Sequence, residues 1–372
     1  VRNQSPGMPP EGAADPVTTE HFQTLHEIAQ TARQRLPRNI WDYLIGGTET
    51  ETALRRNRMA IDTLALRPRV LRDVSFVDTS TNFLGAGLKL PLMCAPIGSL
   101  ESFEPGGGAT AAKATARVGA LTCLSSVSGP GLEATAAAAD GPKIYQLYVR
   151  GDGDWIDEQV QRAIDNGYLA FCLTVDTAIY SRRERDIANR FIKPWRSSAI
   201  GFEFQSSLNW DDVKGFKDRH DLPLLLKGIM TGEDAAMAAE LGVDAVWVSN
   251  HGGRQVDHAQ GTMTVLPEIV SAVDGRSRIV IDGGFLRGTD IVKALAAGAD
   301  IVALGRFTGL ALAAAGEEGL VRALDLLAEE MWTAMGLVGA TKLSEIVPEH
   351  IEAAPATAEP RVFSAFPLID DY

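Results

Sequence analysis

Apolar residues in this chain fall into short, nearly continuous runs, each closed by a polar or glycine-rich turn and most followed by an alanine-rich segment. The runs are Pro91–Ile97, Ala120–Ser126, Lys143–Tyr148, Leu169–Asp176, Leu222–Gly228, Asp244–Asn250, Arg278–Gly283 and Asp300–Arg306. They are rich in Val, Ile and Leu and do not alternate with polar residues, the pattern of strands buried on both faces of a parallel sheet. The segments between them predict helices over Gly108–Val118, Gly131–Ala138, Trp155–Asn166, Glu233–Leu241, Leu266–Val273, Thr289–Ala297 and Thr308–Ala315. After the fourth strand stands a long charged connection, Arg183–Asp212, of the kind that forms lids and binding loops. Eight strand units in about 225 residues predict a (β/α)8 TIM barrel of the α/β class. A doubly wound sheet is the alternative, but it would carry a GxGxxG turn after its first strand, and none is present.

Three regions follow from this pattern. Residues 1–18, rich in Pro, Gly and small polar types, read as a flexible N-terminal tail without the apolar centre of a signal peptide. Residues 19–352 read as the barrel domain, with an N-terminal helical extension over His21–Gly46 broken near Leu36-Pro37. Residues 353–372 read as a C-terminal surface tail. The net charge of −13 argues against a nucleic-acid partner. No apolar run reaches the ~18 residues needed to span a bilayer. Cys94, Cys123 and Cys172 each lie in an apolar run and read as reduced core residues, so the expected compartment is the cytoplasm.

Polar chemistry gathers at the C-terminal ends of the predicted strands, where barrels of this kind place their active sites. The densest example is Ser249-Asn250-His251-Gly252-Gly253-Arg254-Gln255-Val256-Asp257, after the run Asp244–Val248. A histidine moves a proton near neutral pH. An arginine can grip a carboxylate through two parallel hydrogen bonds. Base and anion clamp three residues apart suggest an enzyme acting on a small acid. The other strand ends offer Pro96-Ile97-Gly98, Ser126, Gln146 and Tyr148, Thr174 and Asp176, Lys227, Asp282, and Gly305-Arg306.

With these residues in place the chain resembles the FMN-dependent α-hydroxy acid oxidases and dehydrogenases over roughly Thr19 to Glu352. The motifs LPRNIWDYLIGG, APIG, YQLYV, LTVDT, RRERDIANRF, LLKGI, SNHGGRQVD and IDGG occur in that family's order. The resemblance implies that FMN takes a hydride at N5 while an (S)-2-hydroxy acid becomes the 2-keto acid, and that oxygen, a quinone or another carrier then reoxidises the flavin. It implies His251 as base, Asp176 as partner of its imidazolium, Arg254, Tyr43 and Arg183 as carboxylate ligands, and Tyr148 on the substrate oxygen. Lys227 would sit near flavin N1 and O2. Pro96, Ile97, Gly98, Ser126, Gln146, Thr174, Ser249, Asp282, Gly284, Gly305 and Arg306 would hold the cofactor. It also implies a homotetramer. The alternatives are an FMN barrel acting on a different α-substituted substrate, and an inactive barrel kept for binding.

The pattern departs from the family at a few positions. Leu286 stands where members carry a phosphate-binding arginine, which leaves Arg287, Arg306 and backbone amides for that task. Val127 replaces a tryptophan of glycolate oxidase-like members, and Ala178 a proline. Both changes predict a wider site and a bulkier acid than glycolate. Gly98, an alanine in many oxidases, leans towards a dehydrogenase.

Overall fold

In the computed structural model, which describes residues 22–197 and 199–371, the eight expected strands close into one parallel barrel. They are β1 (Leu92–Cys94), β2 (Leu121–Ser125), β3 (Lys143–Leu147), β4 (Ala170–Thr174), β5 (Leu224–Ile229), β6 (Ala245–Val248), β7 (Arg278–Ile281) and β8 (Ile301–Leu304). Each strand pairs with the next in sequence, and β8 closes on β1 through Val302 opposite Leu92 and Leu304 opposite Cys94. No strand of the barrel is left with an open edge.

Side-chain alternation divides the core in two. Met93, Leu121, Cys123, Ile144, Cys172, Leu225 and Trp247 fill the interior of the cylinder. Leu124, Leu147, Phe171, Leu226, Val246 and Ile281 face outward against the helices. The ribbon Thr81–Phe83 with Ala86–Leu88 adds Phe83 and Leu88 to the interior cluster. All three cysteines are free and buried, as expected, and burial pushes the Cys94 thiol up to about 12.

The helical extension divides as the Leu36-Pro37 break requires, into α1 (Leu25–Arg35) and α2 (Arg38–Ile45), and a third helix, α3 (Thr52–Asp62), follows. Thr24 caps α1 through a capping box with Glu27.

Three expectations need correction. The helix foreseen over Thr308–Ala315 belongs to a longer one, Arg306–Val338, broken at Ala315 and Gly316, where the backbone leaves helical geometry. The connection after β4 is not all loop: it contains Glu184–Ala188 and Phe202–Ser207, and then Trp210–Arg219, the outer helix that this unit lacked in the sequence reading. The segment after 352 keeps only part of a surface course. Ile351–Ala353 pairs with Leu64–Leu66, Phe363 stacks on Trp41 at 5.4 Å, and Phe366 is buried beside His26. Residues 1–18 lie outside the described residues.

Candidate active site

The strand ends open into a cleft lined by Tyr43, Pro96, Ile97, Gly98, Tyr148, Arg183, Lys227, His251, Arg254, Asp282, Gly284, Gly305 and Arg306. These residues come from every part of the chain, so their convergence is a product of barrel closure.

Its centre is His251, held in the left-handed backbone region (φ 60°), as are Gly252 and Gly253 after it. Glycine is needed at 253, because a Cβ there would lie 2.5 Å from backbone atoms of Leu54. This turn aims the imidazole inward. Nδ1 faces both Asp176 carboxylate oxygens, at 3.1 and 3.2 Å, and Nε2 lies 3.2 Å from the Tyr148 hydroxyl. The carboxylate therefore places the ring proton on Nδ1 and leaves the Nε2 lone pair towards the cleft. Burial pulls the His251 pKa below its ordinary value, and Lys227 adds to this, while Asp176 opposes it. The imidazole is consequently neutral at neutral pH, the state a general base requires. Burial alone would raise the Asp176 carboxyl, but His251 and Lys227 outweigh it and hold the group ionised. Asp176 packs against β5 at Gly228 (φ 120°), where any Cβ would come within 2.6 Å of it. The β5–β6 register shifts at the same point.

Beneath the histidine lies a buried polar network. Lys227 Nζ donates to Ser249 Oγ (3.0 Å) and stands 3.6 Å from Asp282. Ser249 Oγ also donates to Asp282 and accepts from the His251 amide. Burial works against the Lys227 charge, but Asp282 and Asp176 raise its pKa, so it stays an ammonium. Gln146 donates to Thr174 Oγ1 (2.8 Å), yet its own Oε1 is buried without a partner among the described residues. Such an acceptor costs free energy unless a ligand N–H reaches it. Ser126 is engaged with the main chain, its Oγ accepting from the Tyr148 amide (3.1 Å).

The arginines depart most from expectation. Arg254 does not present a two-pronged fork. Its Nε donates to the Gly46 carbonyl, and Nη2 donates to those of Tyr43 and Leu44, at the C-terminus of α2. Only Nη1 remains for a ligand. Arg183 supplies the complement: its Nε is buried without a partner among the described residues, and its guanidinium lies 4.9 Å from the Tyr180 ring centroid. Any carboxylate clamp here is thus made by two arginines. Tyr43 lines the cleft and its hydroxyl donates to the Gly98 carbonyl at 2.6 Å, and burial pushes its pKa up to about 12.

At the far end, Arg306 donates to the carbonyls of Ile45, Gly46 and Gly252, binding the α2 terminus to the histidine turn. Two of its five N–H groups remain free. Arg287 does not reach in: it pairs with Glu330 and donates to the Ala365 carbonyl, outside the cleft. Leu286 is buried in the cleft wall, and Arg58 from α3 stands behind it, bonded to Asp290, Asp62 and the Gly284 carbonyl. Gly284, open Gly305 and the helix start at Arg306 form a cradle with a positive end, suited to a phosphate.

Arg58 and Tyr180 were not foreseen. Arg58 sits in an ordinary amphipathic helix pattern, and Tyr180 inside a charged run; neither position carries a local signal. Burial would raise the Tyr180 pKa, but Arg183, Lys193 and Arg196 around the phenol hold it below the ordinary value. The Val127 expectation also changes. Val127 and Trp195 both abut the point where a Gly98 Cβ would lie, at 3.0 and 3.2 Å. An indole from the β4 connection thus borders the space that a smaller side chain was expected to open. This packing favours glycine at 98, since a Cβ there would require Val127 or Trp195 to shift.

The sequence pattern of the FMN-dependent dehydrogenases matches residues 32–353. The chain belongs to the FMN-dependent dehydrogenase family. It is an oxidoreductase with FMN as cofactor, and the orphaned Gln146 acceptor, the buried Lys227 and the phosphate cradle fit that group. The chain is 38% identical to glycolate oxidase 3 of Arabidopsis thaliana over 348 residues, 88% of this chain and 95% of that protein. It is equally 38% identical to a peroxisomal (S)-2-hydroxyacid oxidase of the same plant, covering 89% and 97%. A crystal structure of mandelate oxidase with benzoyl-formic acid superposes with a TM-score of 0.84 at 37% identity, covering 91% of this chain and all of that one. Among the described residues of this FMN-dependent oxidoreductase, no helix is long and apolar enough to cross a membrane.

Proposed function

We propose that this protein oxidises an (S)-2-hydroxy acid to the 2-keto acid. The observation that carries the reading is His251, suspended between Asp176 and Tyr148 in the same cleft as the unpartnered Arg183 Nε. FMN, when bound, supplies the acceptor for the hydride.

The chain's own residues do the rest. Arg254 Nη1 and Arg183 hold the carboxylate and fix the α-carbon. Tyr148 donates to the substrate oxygen. His251 Nε2 takes the hydroxyl proton, and Asp176 stabilises the imidazolium that results. Lys227 is a buried fixed positive charge in the cleft and would stabilise the negative charge that a reduced flavin carries. Pro96, Ile97 and Gly98 form the wall at the reacting face, Gln146 and Thr174 bind the ring edge, and Ser249 and Asp282 orient the polar tail. Gly284, Gly305 and Arg306 would take the phosphate, with Arg58 holding the wall behind Leu286 in place. Tyr43 acts through Gly98 and Arg254 by packing and positioning.

Oxygen is the acceptor in this reading, supported by the oxidase names of the relatives and by the packing reason for Gly98. The resemblance supports a homotetramer, and the reduced cysteines favour the cytoplasm, although one relative is named peroxisomal. The deciding experiment is anaerobic titration of the yellow holoenzyme with a panel of 2-hydroxy acids, followed by admission of air. Bleaching of the flavin and rapid return of colour with peroxide are expected; a flavin that no 2-hydroxy acid bleaches would overturn the reading.

A further inference from the structure

The outer cleft holds a second set of cations that the reaction does not use. Arg150 follows β3 just beyond Tyr148, and Arg196 comes from the turn Pro194–Ser197 in the connection after β4. Both line the cleft with Tyr180, Trp195 and Phe202. The Arg150 guanidinium lies 4.4 Å from the centroid of the Phe202 ring, and that of Arg196 lies 3.9 Å from the centroid of Tyr180. A guanidinium stacked on an aromatic face keeps its edge N–H groups for a planar anion.

Neither arginine makes an ion pair among the described residues. The Arg150 guanidinium has one hydrogen bond, to the carbonyl of Val149 at 2.9 Å. Burial works against its charge and outweighs the support from Tyr148 and Glu203. The chain as a whole carries 48 acidic and 35 basic residues, so most of its surface could supply an acid to any arginine. Two arginines lining one cleft without one are therefore informative: the Arg150 charge is partly desolvated and unpaired, and Arg196 stands exposed at the mouth with its edge open to a ligand. Arg254 and Arg183 already account for one carboxylate.

The geometry points to a second anion subsite, formed by Arg150 and Arg196 against Phe202 and Tyr180, that takes the distal carboxylate of a 2-hydroxy dicarboxylic acid. This rests on the 2-hydroxy acid reading above. The methylene chain between the two carboxylates would lie along the aromatic wall.

The test compares C5 ligands that differ in one charge. Binding of 2-oxoglutarate and 2-oxovalerate to the oxidised holoenzyme is followed by the change in flavin absorbance, and turnover of 2-hydroxyglutarate is compared with that of 2-hydroxyvalerate. The dicarboxylate is expected to bind about tenfold tighter or more, the worth of a charged hydrogen bond. Arg150→Met is expected to abolish most of that preference, Arg150→Lys to restore part, and Arg196→Met to reduce it less. Equal binding of the two keto acids overturns the subsite. So does an Arg150→Met variant that weakens both alike, which would make Arg150 a latch for Phe202, or a preference for mandelate over 2-hydroxyglutarate that Arg150→Met leaves in place. If 2-hydroxyvalerate bleaches the flavin without any advantage to the dicarboxylate, the subsite fails and the reaction stands. If no 2-hydroxy acid bleaches it, the reaction reading fails, and the keto-acid titration still decides the subsite.

Discussion

Two regions of the cleft use arginine in opposite ways. Behind Gly284, Arg58 is saturated: it is buried, bonded to both oxygens of Asp290 and to Asp62, and its charge is cancelled within the protein. At the mouth, among the described residues, Arg183 keeps a buried Nε without a partner, and Arg150 and Arg196 stack on rings without forming an ion pair. A saturated guanidinium holds α3 against the barrel, whereas an open one waits for an anion from outside. The number of arginines says nothing about this division; their partners decide it.

Mutations on the two sides should separate cleanly. The largest effect is expected at the base the mouth serves. His251→Gln should keep the yellow colour and slow anaerobic flavin reduction by on the order of 10²–10⁴, read by stopped flow; unchanged reduction would remove the base. On the saturated side, Asp290→Ala removes the buried partner of Arg58 and leaves it only the half-buried Asp62, and should cost about 3 kcal/mol of stability in denaturant unfolding. A loss of activity with stability intact would place Arg58 in the chemistry instead. The Asp290 carboxyl is subject to desolvation by burial, but Arg58 outweighs this and depresses its pKa. Its contribution is therefore present above the unfolded value of about 3.9 and fades as pH falls through the lower folded value.

Arg183→Met should do the reverse: stability stays, and substrate affinity falls by the roughly 1.5–3 kcal/mol of a charged hydrogen bond. A fall in stability of that size without a change in KM would return Arg183 to the scaffold. The smallest effect is a shift along the pH axis. Because burial depresses the His251 pKa, the acid limb of kcat/KM should lie below pH ~6.5. Asp176 is the group that opposes the depression, so Asp176→Asn should move the limb lower still; a limb moving upward would contradict the pairing.

Much of this architecture is legible in the order of residues. Eight apolar runs specify eight strands because a strand buried on both faces must be apolar throughout, and the polar residue ending each run marks the face where chemistry collects. His251, Asp176, Lys227 and Arg254 could be named on that basis, with family motifs assigning their roles. The roles of the arginines could not be read so. Arg287 looked available and is paired to Glu330; Arg58, which carries no local signal, is buried in the cleft wall. Tyr180, Trp195 and Arg196 sit in the connection after β4, where no periodicity marks an inward face.

Periodicity reports whether a segment needs to be buried, which is a local property of hydrophobic spacing, so the sequence alone determined the barrel and the rim from which it works. Whether a charged side chain is satisfied depends on groups from other segments, often hundreds of residues away, as Arg58 is from Asp290. Only the closed tertiary structure brings those partners together, and so it alone decided which cations hold the protein and which remain for its substrate.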